Sequence, residues 1–104
     1  MALSSASWAR SAGATYAVGT HPYQTVVADF DGDGHPDLAT ADFGGAQVSV
    51  LLNAGDGTFG TASALAVSGS PRSLATGDLD GDGVRDLAVA NSSGGQVDVF
   101  RGTC

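Results

Sequence analysis

The sequence predicts an all-β chain built from about two copies of one four-stranded antiparallel unit. Three observations carry this. Aligning residue i with residue i+49 sets 14–55 against 63–104 without a gap, and sixteen of those 42 pairs are identical. All eleven acidic residues are Asp, while Glu and Lys are absent. Helices favour Glu, Lys, Gln and Leu, whereas Asp, Gly, Thr and Val favour turns and strands. Finally, the apolar runs are short and are separated by Gly-rich turns. Identities at Ala17-Val18 and Ala66-Val67, Pro22 and Pro71, and Leu38-Ala39 and Leu87-Ala88 show that a whole supersecondary unit is repeated. A period near 50 lies in the range of propeller blades, which makes the chain a partial propeller or a subunit of an oligomeric one.

The elements follow in order. Residues 1–13 form an N-terminal segment outside the repeats, with disorder as one reading. The first unit covers 14–62 and the second 63–104, the latter without its last strand. Thr15–Val18 aligns with Ala64–Val67 and so reads as a fourth strand that precedes any unit of its own. The first complete unit then supplies strands at Gln24–Ala28, Leu38–Ala41, Gln47–Leu52 and Ala62–Val67. The second supplies Ser73–Gly77, Leu87–Ala90 and Gln96–Arg101. Gly44-Gly45 and Gly94-Gly95 are the expected hairpin turns, and Gly55-Asp56-Gly57 turns the third strand into the fourth. Val48-Ser49-Val50-Leu51-Leu52 is apolar on both faces, as expected of a sheet held between neighbours. The Ala-rich strands suit crowded regions where sheets converge.

Between first and second strands lies the most informative run. Asp29-Phe30-Asp31-Gly32-Asp33-Gly34-His35-Pro36-Asp37 recurs as Asp78-Leu79-Asp80-Gly81-Asp82-Gly83-Val84-Arg85-Asp86. Each copy puts carboxylates at positions 1, 3, 5 and 9. Such crowding repels unless a divalent cation neutralises it, and Ca²⁺ fits best because it takes several hard oxygens in loose geometry. Two Ca²⁺ per chain are therefore expected. A helical EF-hand is disfavoured, because position 12 is Thr40 or Val89 instead of Glu and the flanks are β-like.

Charge and composition bound the rest. The formal net charge is −7, and eight of the eleven Asp lie in the two loops, so the acidity is local ligand charge. No basic cluster points to nucleic acid or an anionic membrane. No stretch is long enough to span a bilayer. Residues 1–13 lack the apolar core of a secretory signal. Cys104, the single cysteine, excludes an internal disulfide.

The pattern Ala28-Asp29-Phe30-Asp31-Gly32-Asp33-Gly34-x-x-Asp37-Leu38-Ala39 resembles the FG-GAP/VCBS repeats of integrin-α-like β-propellers. So does Val48-x-Val50-Leu51-Leu52-Asn53-x-Gly55-Asp56-Gly57-Thr58-Phe59-Gly60, together with Pro22 and Pro71. The resemblance covers about residues 14–104. It implies calcium held by Asp29, Asp31, Asp33 and Asp37, and by Asp78, Asp80, Asp82 and Asp86. The backbone carbonyls of His35 and Val84 fall at position 7 of each loop. It also implies an extracellular or secreted setting and a role in adhesion, glycan binding or support of a larger enzyme. Family propellers have about seven blades, more than this chain supplies.

No nucleophile–base set, phosphate loop, CxxC or HExxH is present, so the chain is not expected to be an enzyme. His21 and His35 have no repeat counterparts and read as loop residues, and Trp8 reads as a terminal seal or a sugar-stacking ring. Asp42 and Asp98 are replaced by Asn91 and Ser49 in the other unit and read as solvated strand ends. The expected function is a calcium-stabilised scaffold for adhesion or assembly, with a lectin-like subunit or an enzyme-accessory fragment as alternatives. The expected partner is a further copy of the chain in a head-to-tail ring, with Thr15–Val18 completing the last blade, or else the remainder of a larger propeller.

Overall fold

A computed structural model describes residues 15–102. The readings of residues 1–13, Trp8 and Cys104 lie outside the described residues. The chain there is all-β. Four strands, β1 (Pro22–Ala28), β2 (Asp37–Asp42), β3 (Gln47–Leu51) and β4 (Ser63–Ala66), form one antiparallel sheet in sequence order. A second antiparallel sheet contains β5 (Pro71–Gly77), β6 (Asp86–Asn91) and β7 (Gln96–Phe100), again in order. Seven of the eight strands read from the sequence are present, with ends shifted by at most two residues. No helix among the described residues is long and apolar enough to cross a membrane.

The two sheets repeat each other in detail. Pro22 pairs with Asp42 and Pro71 with Asn91, and each is followed by a register shift before the next pair. Proline has no N–H to give a ladder, so it sits at the start of the outer strand of each sheet. Ala39 lies between Val26 and Val50, just as Ala88 lies between Ala75 and Val99.

Because side chains alternate across a strand, each sheet has two faces. On the first sheet, Val26, Ala39, Ala41, Val48, Val50 and Leu65 share one face and meet Leu74, Leu87, Val89 and Phe100 of the second sheet. This is the main core, and β5 packs over β1 and β2 to form it. Small Ala39 and Ala41, both fully buried, allow that close approach. Phe30, at position 2 of the first Asp-rich loop, joins the same core. Polar contacts reinforce the seam. Leu74 N donates to Gln24 Oε1 at 2.5 Å, and Arg85 N donates to the Asp29 carbonyl at 3.4 Å. The Arg72 guanidinium lies 5.1 Å from the Tyr23 ring centre and 5.5 Å from that of Phe43, a cation–π clasp between the sheets.

Three readings need correction. Thr15–Val18 is not a strand. The outer edge of β3 is already taken by β4, and β7 lies in the other sheet, so the segment joins no ladder among the described residues. Gly44-Gly45 is not a simple hairpin turn. Phe43–Gly45 forms a 3₁₀ turn, and the left-handed position falls on Ala46 at φ 50°. Its repeat equivalent is Gly95 at φ 63°. Asp42 is not solvated but fully buried.

Candidate functional site

Each Asp-rich loop leaves the end of one strand and returns at the start of the next, so β1–β2 and β5–β6 anchor its ends. Glycine makes the tight path feasible: Gly32 and Gly34 have φ of 76° and 86°, and Gly81 and Gly83 have 79° and 87°. A side chain at those angles is strained. The matching angles show one loop built twice.

The first Asp organises each loop from within. Asp29 accepts hydrogen bonds from Gly32 N and Gly34 N, both at 2.8 Å. Asp78 accepts from Gly81 N and Gly83 N at 2.8 Å and from Asp82 N at 3.1 Å. The central acids follow the same plan. Asp33 N donates to Asp31 at 3.3 Å and His35 N to Asp33 at 2.9 Å. In the second loop Asp82 N donates to Asp80 at 3.4 Å and Val84 N to Asp82 at 3.0 Å.

The ninth-position acids do something else. Asp37 and Asp86 are completely buried. Asp37 accepts from Phe30 N at 2.9 Å and from Asn53 N at 2.8 Å. Asp86 accepts from Leu79 N at 2.8 Å and from Gly102 N at 2.9 Å. Each therefore ties its loop to the chain just beyond the third strand. Both oxygens already have a backbone donor, and a carboxylate oxygen has lone pairs for more than one partner.

Carboxylate oxygens of Asp29, Asp31 and Asp33 lie within 4.8 Å of one another, as do those of Asp78, Asp80 and Asp86. Asp37 is outside the first trio and Asp82 outside the second. His35 is an exposed loop residue, and its imidazole lies beside Gly55. Val84, at the same loop position, is buried against Gly102.

The crowding shows in the acidities. Partial burial disfavours the Asp29 charge, but the amides of Gly34 and Gly32 outweigh it and hold the group below the usual carboxylate range. For Asp78 the Gly83 amide leads, and the result is again lowered. Asp31 is raised, first by desolvation and then by its neighbours Asp33, Asp29 and Asp37. Asp80 is raised chiefly by a shared contact with Asp82, although Arg101 Nε lies 3.6 Å from its carboxylate. One acid in each loop thus resists ionisation, through desolvation and through the carboxylates crowded beside it. A divalent cation would relieve that conflict, and an all-oxygen donor set on a Gly-rich loop is one that could hold Ca²⁺.

A family model for the FG-GAP-like repeat matches residues 29–89, more than half of the chain and all eight loop Asp. The chain belongs to this family. No curated protein and no solved structure matches it. As an FG-GAP-like repeat protein it carries the loop in both units, each seated between the first two strands of its sheet.

One polar arrangement escaped the sequence reading. In the first FG-GAP-like unit, Asp42 accepts from Thr40 Oγ1 at 2.9 Å and Ser49 Oγ at 2.5 Å. In the second, Asp98 accepts from Asn91 Nδ2 at 2.9 Å. Asp42 and Asn91 are repeat equivalents, as are Ser49 and Asp98, so the carboxylate has changed strands while the cross-strand pair persists. Each pair also holds the incoming chain: Gly19 N donates to Ser49 Oγ at 3.3 Å and Ser68 N to Asp98 at 2.8 Å. The Ser68 amide is the main reason Asp98 is held below its usual range. The reciprocal exchange of Asp/Ser for Asn/Asp was the available signal.

Proposed function

We propose that the chain is a calcium-stabilised β-propeller repeat module that serves as an extracellular binding and assembly scaffold. The observation that carries this reading is the duplicate loop: the same Asp set, the same two left-handed glycines and the same raised third-position acid occur twice. In each loop, the acids at positions 1, 3 and 5 and the buried acid at position 9 would hold one ion, with the carbonyls of His35 and Val84 as further oxygen donors. The ion supplies charge neutralisation and cross-links the loop. Its binding free energy adds to folding free energy because the unfolded chain has no assembled site. We assign the module no catalysis of its own.

The surface favours assembly over glycan recognition. The groove between the sheets has a volume of about 240 Å³ and is walled by Phe30, Val50, Leu65, Leu87 and Phe100, with Asp31 and Arg101 its charged groups. Sugars need many placed polar partners, whereas apolar walls suit another protein surface.

Thermal melting tests the structural role of calcium. Asp31→Ala and Asp80→Ala are each expected to lower Tm in saturating calcium, by several degrees for a domain of this size. A chelator should remove that difference from the parent chain. Mutants that melt with the parent in calcium would refute structural ions.

A further inference from the structure

We propose that Thr15–Val18 of one copy of this chain forms the fourth strand of a second copy's β5–β7 sheet, joining the copies head to tail. Residues 19–21 enter the first sheet as residues 68–70 enter the second. Gly19 N and Ser68 N bond to equivalent positions on β3 and β7. Phe43 N donates to the His21 carbonyl at 3.0 Å, and Ser92 N to the Ser70 carbonyl at 2.8 Å. Ahead of residue 68 the chain is β4, laid on the edge of the preceding sheet. Ahead of residue 19, Thr15–Val18 arrives in the same way but joins no ladder among the described residues.

Its present seat is loose. Tyr16 packs edge-on against Phe59 at 5.4 Å, and its hydroxyl accepts from Phe59 N at 3.2 Å. Two gaps of about 250 and 230 Å³ separate the segment from β3 and the residues leading into β4.

The second sheet offers the complementary edge and face. Among the described residues β7 pairs only with β6. Its counterpart β3 pairs with β4 in the register Gln47↔Ala66, Val48↔Leu65 and Ser49↔Ala64. The 49-residue offset turns this into Gln96 opposite Ala17, Val97 opposite Tyr16 and Asp98 opposite Thr15. Tyr16 would then lie over Val97, an aromatic against a β-branched neighbour, which is a favourable cross-strand pair. Beside that edge, Leu79, Val97 and Val99 are 59%, 64% and 53% exposed. Their counterparts Phe30, Val48 and Val50 form the established seam between the two sheets. Lifting Thr15–Val18 uncovers Leu51, the counterpart of Phe100, which is what that open face packs against within the chain. The contact between copies therefore continues the contact within one copy. It is heterologous, and it closes into a ring when the rotation permits.

Light scattering on the full chain in calcium tests this, with two variants. Tyr16→Pro/Ala17→Pro removes both adjacent amides, so whichever faces β7 is lost. Val97→Lys/Val99→Lys places charge on the open face. The first lies outside the seven strands. The second changes two exposed side chains and leaves the backbone pairing of Val97 and Val99 with Ala90 and Ala88 in place. Circular dichroism checks that the sheets persist. The parent is expected at a multiple of the 10.2 kDa chain mass, and each variant alone at the mass of one chain. Mixed, the two should form a 1:1 pair, because one retains the edge and the other the strand. A single-chain parent, a variant that keeps the parent's mass, or a mixture that stays separate would overturn the proposal.

Discussion

Val48 and Val97 occupy the same place in two copies of one unit, yet the first is fully buried and the second is 64% exposed. The same contrast separates half-buried Phe30 from exposed Leu79, and Val50 from Val99. Local sequence, register and loop geometry agree between the sheets, so none of them explains the difference. What differs is the neighbour: the first sheet has the second lying on it. In a repeat architecture each unit carries a face that only the next unit can bury. Burial is then a property of position in the stack, while the Asp-rich loop is a property of the unit itself.

That distinction predicts which paired substitutions act alike. The largest effects should come from Asp37→Ala and Asp86→Ala. Each strands two backbone donors, Phe30 N and Asn53 N in the first unit and Leu79 N and Gly102 N in the second, at roughly 1–3 kcal/mol for a donor left buried without a partner. Because the tie is internal to the unit, denaturant titration should show a loss of similar size in both. A marked inequality would mean that the two loops are not equivalent.

Val48→Ala against Val97→Ala should instead divide sharply. Truncating a packed valine costs about 1–3 kcal/mol, whereas an exposed change away from special features usually stays within about 0.5 kcal/mol. Chemical unfolding of the dilute single chain measures both. Equal losses would show that the open face of the second sheet is covered in solution, and would blur the contrast.

The smallest effect concerns the turn between second and third strands. Ala46→Gly relieves a left-handed residue and should leave stability unchanged or raise it by up to about 1 kcal/mol. Gly95→Ala at the matching angle should cost about 1 kcal/mol. Melting curves of the two variants shifting in the same direction would contradict the shared geometry.

The strands and both loops were legible in the sequence because each rests on short-range rules: alternation, turn glycines and the spacing of acids, each seen twice. The left-handed turn was legible at Gly95 but hidden at Ala46, where the residue gives no sign of a positive φ. Thr15–Val18 aligned with the strand segment Ala64–Val67, yet a strand exists only where an edge accepts it, and that depends on the rest of the assembly. The buried carboxylate at Asp42 was misread because burial of charge depends on partners from other strands, here Thr40 and Ser49. The double duty of Asp37 and Asp86 was likewise invisible. Spacing places them in the loop, but only the fold shows that Asn53 and Gly102 come round to meet them.

Each of the two matched loops is proposed to hold one calcium ion. Isothermal titration of the chelator-stripped chain with Ca²⁺ measures it directly. Two ions per chain are expected, with much weaker binding of Mg²⁺, whose small octahedral shell does not suit these open carboxylate loops. A stoichiometry near zero or one, or magnesium binding as well as calcium, would contradict it.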